Sequence, residues 1–298
     1  MNIGFIGTGV MGSRMVKRML QAGFQVTVYN RSPEKVKPLI DLGANRAETI
    51  PSLSSQCEVI CTCLSMPADV LEVYLGENGI IHHAKPGMIC ADFTTVGPDT
   101  SKTVFAVAKE KGITYLDAPV SGGPEGIEQG TLTIMVGGEQ KGYDVILPMI
   151  KSFGKTIEFL GPSGSGSIAK LINQYLVAVH SLAASEAMVT GAAYGLDSEK
   201  LYQILKQSYG QSRILERHME QYVFPRQFEP GGAVKYVHKD VNLANQLMQE
   251  IGMNKFTGQL AEEAFAGAIG HGLADNDMSA VIQPLEKDCG VIIKKSMN

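Results

Sequence analysis

Gly7-Thr8-Gly9-Val10-Met11-Gly12 follows directly on the short apolar run Ile3-Gly4-Phe5-Ile6 and opens Met11–Leu20, an amphipathic stretch that Gly23 stops. Phe24–Tyr29 then reads as a second strand. Strand, glycine turn and helix in that order make a pyrophosphate site. Gly7 permits the tight turn, Gly9 lets main chain approach the phosphates, and Gly12 lets helix pack closely on strand. The helix that starts at Val10 and Met11 offers free N–H groups and its positive dipole end to the anion. Such a glycine pattern alone is weak, because many loops contain one. The flanking strand and helix give it weight.

The residues after the second strand bear on which nucleotide is bound. An NAD site places Asp or Glu about twenty residues beyond the fingerprint, where it accepts the ribose hydroxyls. No carboxylate precedes Glu34 here, and Asn30-Arg31-Ser32 hold that position. Arginine suits a 2′-phosphate, and its planar guanidinium stacks on adenine. The pattern predicts NADP over NAD, with dual use as the alternative.

With 298 residues the chain has room for two domains, and 44% hydrophobic with 19% charged residues describes an ordinary globule. A net charge of −4 gives no reason to expect nucleic acid or an acidic membrane surface as partner. No apolar stretch is read as membrane-length and the start has no signal-peptide layout, so a cytoplasmic chain is expected. Cys57, Cys61, Cys63, Cys90 and Cys289 lack the spacing of a metal or disulfide framework and read as small buried hydrophobes; no metal is expected. His82-His83 read as solvated loop residues before Pro86-Gly87.

Up to about Leu160, short apolar runs alternate with helical patterns, as a doubly wound parallel sheet requires. Strands are expected at Ile3–Ile6, Gln25–Tyr29, Val59–Cys63, Met88–Asp92, Thr114–Asp117, Leu132–Val136 and Thr156–Phe159. Beyond Gly166 the texture turns helical, beginning with Ile168–Tyr194, read as one long buried helix, and ending with Met278–Lys295. Between them come Asp197–Gln207, Gln211–Gln221, Val234–Ile251 and Thr257–His271. The expected fold is therefore α/β. A Rossmann-type doubly wound sheet (residues 1–162) precedes an all-helical domain (163–298), joined by a long interdomain helix. Ligands of such folds collect at the carboxyl ends of the strands.

Four segments stand after candidate strands or enter the long helix. Cys63-Leu64-Ser65-Met66-Pro67 offers main chain to line a cofactor. Asp92-Phe93-Thr94-Thr95 offers two hydroxyls beside an acid, for helix capping or for ligand contact. In Asp117-Ala118-Pro119-Val120-Ser121-Gly122-Gly123-Pro124, N–H groups about two glycines and a hydroxyl make either a carboxylate cradle or a structural turn. The fourth, Gly164 to Gln174, places Lys170, Asn173 and Gln174 on one helix face among apolar Leu171, Ile172, Leu176 and Val177. Burying such groups is costly unless they have partners or a task. Desolvation favours a neutral amine, which suits proton transfer to an alcohol or carbonyl oxygen; the alternative is a lysine whose head reaches solvent.

Taken together, these motifs resemble the β-hydroxyacid dehydrogenase family over essentially the whole chain. The resemblance is carried by Gly7–Gly12 with Asn30-Arg31, Asp92–Thr95, Asp117–Gly123, Gly164–Gln174 and the late pair Lys239-Asp240. It implies a Lys170 that protonates the carbonyl oxygen in reduction and accepts the hydroxyl proton in oxidation. It also implies Ser121, Gly122 and Gly123 on the substrate carboxylate, Asn173 on the substrate, and Leu64, Ser65, Met66 and Thr95 at the nicotinamide end. Lys239 would reach the cofactor, and Asp240 would orient that lysine. Where many relatives carry phenylalanine, seven residues before Lys239, this chain has Gly232, which alters the expected pocket wall.

The leading expectation is an NADP-linked oxidoreductase of a small β-hydroxy acid or its semialdehyde. Larger sugar acids, imines, or a non-catalytic NADP(H)-binding module are the alternatives. Imine-reducing relatives usually lack the lysine, and a silent module would be expected to lose it. The long apolar helix further predicts a homo-oligomer, dimer or tetramer.

Overall fold

The computed structural model describes residues 1–295. Its strands are β1 (Asn2–Ile6), β2 (Gln25–Tyr29), β3 (Asn45–Arg46), β4 (Val59–Thr62), β5 (Ile89–Asp92), β6 (Thr114–Asp117), β7 (Val120–Ser121), β8 (Leu132–Gly137) and β9 (Gly154–Gly161). They form one sheet in the order β3-β2-β1-β4-β5-β6-β8-β7, with β9 pairing β8. From β3 to β6 every pair is parallel. The strand order reverses direction beside β1, the switch point at which doubly wound sheets bind ligands. β6 and β7 each pair antiparallel with β8.

Alternation along the strands builds two cores. Ile3, Phe5 and Cys61 join one apolar cluster with Met15, Met19, Leu116 and Phe153. Ile6, Ile60 and Cys90 join the other with Leu53, Val70, Tyr74 and Tyr115. Neighbouring residues point to opposite faces, so each strand supplies both layers of helices.

Two compact units divide at Lys170/Leu171, inside the long helix Ser165–Ala193 rather than ahead of it. The second unit is helical, with cores about Met188, Tyr202 and Met219 and about Val237, Phe265 and Ala280.

Several expectations are corrected. The long helix is only partly buried: Ile172 is 54% and Leu176 46% exposed. It is also, by length and composition, the one segment among the described residues that could cross a membrane, a test that core helices pass too. Helix Arg213–His218 passes into a π turn at Met219–Val223. The last helix ends at Cys289, where Gly290 turns left-handed (φ 66°), instead of running to Lys295. His82 and His83 lie in a short helix, Ile80–His83, not in a loop. Cys289 is exposed and Cys63 half-buried, unlike the other three cysteines. The two-residue strands β3 and β7 are too short to show alternation, and the sequence reading passes over both.

Candidate active site

Each glycine of the fingerprint has a separate cause in the structure. Gly7 holds φ +95°, and a Cβ there would overlap the Cys63 carbonyl. A Cβ on Gly12 would overlap the Gly7 carbonyl and press on the Phe5 ring, so helix Val10–Gln21 reaches the strand only without one. Gly9 has nothing within 4 Å of the same position, which leaves its main chain open to an approaching group. It precedes the helix with no side-chain cap, and no acidic residue stands in the first turn. An open, uncapped, acid-free N-terminus fits a pyrophosphate.

Asp92 organises the neighbouring loops. Its Oδ1 accepts from Thr62 Oγ1 at 2.7 Å and from the Thr94 N–H at 3.0 Å, and its Oδ2 accepts from the Tyr115 hydroxyl at 3.1 Å. Burial pushes this carboxyl up to about 6, against the lowering effect of those donors. Thr94 Oγ1 in turn accepts from the Leu64 N–H at 2.9 Å. Thr94 is thus a clamp on the Leu64-Ser65-Met66 loop, and it caps no helix. The exposed Ser65 and Met66 and the half-buried Thr95 lie beside that clamp.

Asp117 does the same for the long helix. Oδ1 accepts from the Gly164 N–H at 2.8 Å and Oδ2 from the Ser167 N–H at 2.9 Å, so the first turn is tied to the end of β6. Ser101 and Ser167 add a buried hydroxyl pair at 2.9 Å. Gly166 permits the approach, because a Cβ there would overlap the Met135 carbonyl. Burial raises the Asp117 carboxyl despite these donors. Four residues beyond Asp117, the chain passes through Ser121 and turns at Gly122 (φ +127°) and Gly123 (φ +66°) into helix Gly123–Gln129. One acid therefore holds both the approach to the glycine pair and the start of the helix that carries Lys170. Lys170 is 6% exposed, so most of its side chain is buried.

Beyond Lys170 the polar face continues in the helical unit. Asn173 Nδ2 donates to Gln174 Oε1 at 3.1 Å, and Gln174 Nε2 donates to Asp240 Oδ2 at 2.6 Å. Lys239 Nζ stands 3.0 Å from Asp240 Oδ1, with both side chains largely buried. In the same unit the Gly231 and Gly232 N–H groups donate to Asp277 Oδ2, each at 3.1 Å. A Cβ on Gly232 would meet only Met278 Cε, at 3.5 Å, so no crowding demands glycine there.

At the far edge, Asn30 Nδ2 donates to the Ser32 carbonyl at 3.3 Å. Arg31 Nη2 donates to Asp69 Oδ1 at 3.1 Å. Sequence reading singles out the glycines, Arg31 and Lys170 as candidates but passes over Thr62, Asp69 and Tyr115, whose contacts support the neighbouring loops. A carboxylate at the third position of a helix beginning at Pro67 is the one local signal that points to Asp69.

Comparison with known proteins places this geometry. Residues 2–161 match the model of the NAD binding domain of 6-phosphogluconate dehydrogenase. Residues 164–285 match that described as NAD-binding of NADP-dependent 3-hydroxyisobutyrate dehydrogenase. The chain is 34% identical to 2-(hydroxymethyl)glutarate dehydrogenase of Eubacterium barkeri, covering 98% of this chain and 97% of that one. It is 35% identical to 2-hydroxy-3-oxopropionate reductase of Escherichia coli K12, covering 96% and 97%. The structure of Psf3 in complex with NADP+ and 2-OPP superposes with a TM-score of 0.88 at 26% identity, covering 95% and 99%.

Proposed function

The chain belongs to the β-hydroxyacid dehydrogenase family and is an NAD(P)-dependent oxidoreductase, and from that premise we propose that it acts on a small β-hydroxy acid or its semialdehyde, using NADP(H), with Lys170 as general acid and base. The observation that carries the proposal is the burial of Lys170 on a helix that Asp117 ties to the strand end leading into Ser121-Gly122-Gly123. A buried amine is costly unless it has partners or a task.

Bound nicotinamide would supply or take up the hydride. In the reducing direction Lys170 Nζ gives a proton to the carbonyl oxygen; in the oxidising direction it accepts the hydroxyl proton. Ser121, Gly122 and Gly123 hold the substrate carboxylate through N–H groups and the serine hydroxyl. Asn173, three residues beyond Lys170 on the same helix face, hydrogen-bonds the substrate. Gly7, Gly9, Val10, Met11 and Gly12 hold the pyrophosphate. Asn30, Arg31 and Ser32 hold the adenosine end, and Leu64, Ser65, Met66 and Thr95 the nicotinamide end. Lys239 is assigned a cofactor contact, with Asp240 orienting it. The presence of Arg31, with no carboxylate before Glu34, supports NADP over NAD.

We place the chain in the cytoplasm, where Cys57, Cys61 and Cys90 serve as small buried hydrophobes. The exposed Ile172 and Leu176 on the long helix support a homo-oligomer.

NADPH and NADH consumption with succinic, methylmalonic and tartronate semialdehydes, glyoxylate and sulfolactaldehyde tests this reading. We expect turnover of one of them, falling about a hundredfold or more in Lys170→Ala, while NADPH binding is unchanged. Unchanged turnover in that variant would remove Lys170 from the mechanism. Silence across the panel with tight NADPH binding would favour a larger sugar acid, an imine or a non-catalytic role.

A further inference from the structure

Arg31 lies just past β2 and Asp69 past β4, the two strands that flank β1 in the sheet. Their ion pair therefore spans the carboxyl end of β1, where the Gly7–Gly12 turn lies. The two partners are unequal. Asp69 sits at the third position of helix Pro67–Leu75, with a side chain 23% exposed and Oδ2 accepting the Met66 N–H at 3.2 Å. It is held by its own helix. Arg31 is 84% exposed and contributes a long, flexible side chain to the contact. Asp69 thus touches both assigned ends of the cofactor groove: the guanidinium at the adenosine end and the Leu64-Ser65-Met66 loop at the nicotinamide end.

We propose that Asp69 is a specificity-determining residue that competes with the cofactor's 2′-phosphate for Arg31. This rests on the assignment of Arg31 to the adenosine end. A guanidinium presents one planar fork, and a carboxylate and a phosphate want the same donors. NADP(H) must draw Arg31 from Asp69 and bring a phosphate toward a fixed carboxylate of like charge. NAD(H), with a 2′-hydroxyl, leaves the pair in place. Asp69 thus biases the chain toward NAD(H) against the pull of Arg31, and the balance of the two residues sets the preference. The Met66 contact links that balance to the nicotinamide loop, because the same carboxylate serves both.

Direct titration of NADPH and NADH, monitored by the fluorescence of the reduced nicotinamide, reads the preference without turnover. Asp69→Asn keeps a carbonyl oxygen for the Met66 N–H and removes the charge. We expect it to tighten NADPH by about two- to fivefold, the range of an exposed ion pair, while NADH affinity stays put. In an Arg31→Ala background that gain should shrink, since the competition is gone. Three outcomes count against the proposal, and they differ in what they remove. Equal weakening of NADPH and NADH by Arg31→Ala would overturn the phosphate reading of Arg31 and the proposal with it. Selective loss of NADPH in Arg31→Ala, with an unmoved NADPH-to-NADH ratio in Asp69→Asn, would overturn the proposal alone. Equal weakening of both cofactors by Asp69→Asn would leave Asp69 as a helix cap and nothing more.

Discussion

Asp92 and Asp117 on one side, and Asp240 on the other, are buried carboxylates held by different means. In the sheet unit, Asp92 and Asp117 accept main-chain N–H groups: Thr94 for the first, Gly164 and Ser167 for the second. In the helical unit, Asp240 is met by side chains, Gln174 at 2.6 Å and Lys239 at 3.0 Å. An acid that holds main chain decides where a whole segment lies. An acid that holds side-chain tips decides only where two groups point. Removing one should therefore reach much further than removing the other.

Asp117→Ala is the strongest way to break this contrast. It strands two buried N–H donors at about 1–3 kcal/mol each, so unfolding in denaturant should show a loss of about 2–6 kcal/mol. Amide exchange at Gly164 and Ser167 should speed up, and turnover should fall because the helix bearing Lys170 loses its anchor. Unchanged exchange at those two amides would mean that the carboxylate anchors nothing.

The second prediction uses pH. Burial favours the neutral form of Asp92 in the folded state, raising it from the ordinary 3.8 to about 6. The fold then binds more protons than the unfolded chain between those values. Stability from this group is full below about pH 4 and lost as pH rises through about 6, by about 3 kcal/mol. Asp92→Asn keeps oxygen for Thr62 and Thr94 and cannot ionise. Denaturant unfolding across that window should therefore show the parent losing more stability than the variant as pH rises. Parallel curves would place the Asp92 carboxyl at its ordinary value.

Asp240→Asn should have the smallest effect of the three. It retains an acceptor for Gln174 and weakens one charged contact, worth about 1–2 kcal/mol. The expected signature is a raised KM for cofactor through Lys239, with main-chain amide exchange in the unit unchanged. Widespread exchange changes would show that side-chain anchors reach as far as main-chain ones, and the contrast would collapse.

Legibility in the sequence obeys the same division. The longer parallel strands are readable as short apolar or alternating runs, and Gln25–Tyr29 and Thr114–Asp117 match residue for residue. β3 and β7, at two residues each, have too few side chains to show a period. The final helix reads too long because Lys294 and Lys295 continue a helical texture past Gly290, and only the backbone there reveals the left-handed cap. Within the site, Lys170 stands out as a lysine among apolar neighbours. Asp92 and Asp117 stand in motif segments without a readable role.

What the sequence alone determined is whatever depends on near neighbours: the sheet class, the glycine turn at Gly7–Gly12, the helical spacing of Lys170 and Asn173, and the family. Only the tertiary structure decided which groups meet. Asp92 finds Thr62 thirty residues back, Asp117 finds Ser167 fifty residues on, and Arg31 finds Asp69 across 38 residues. A hydrogen bond needs two atoms about 3 Å apart, and no local periodicity records which distant strand ends the sheet will bring that close.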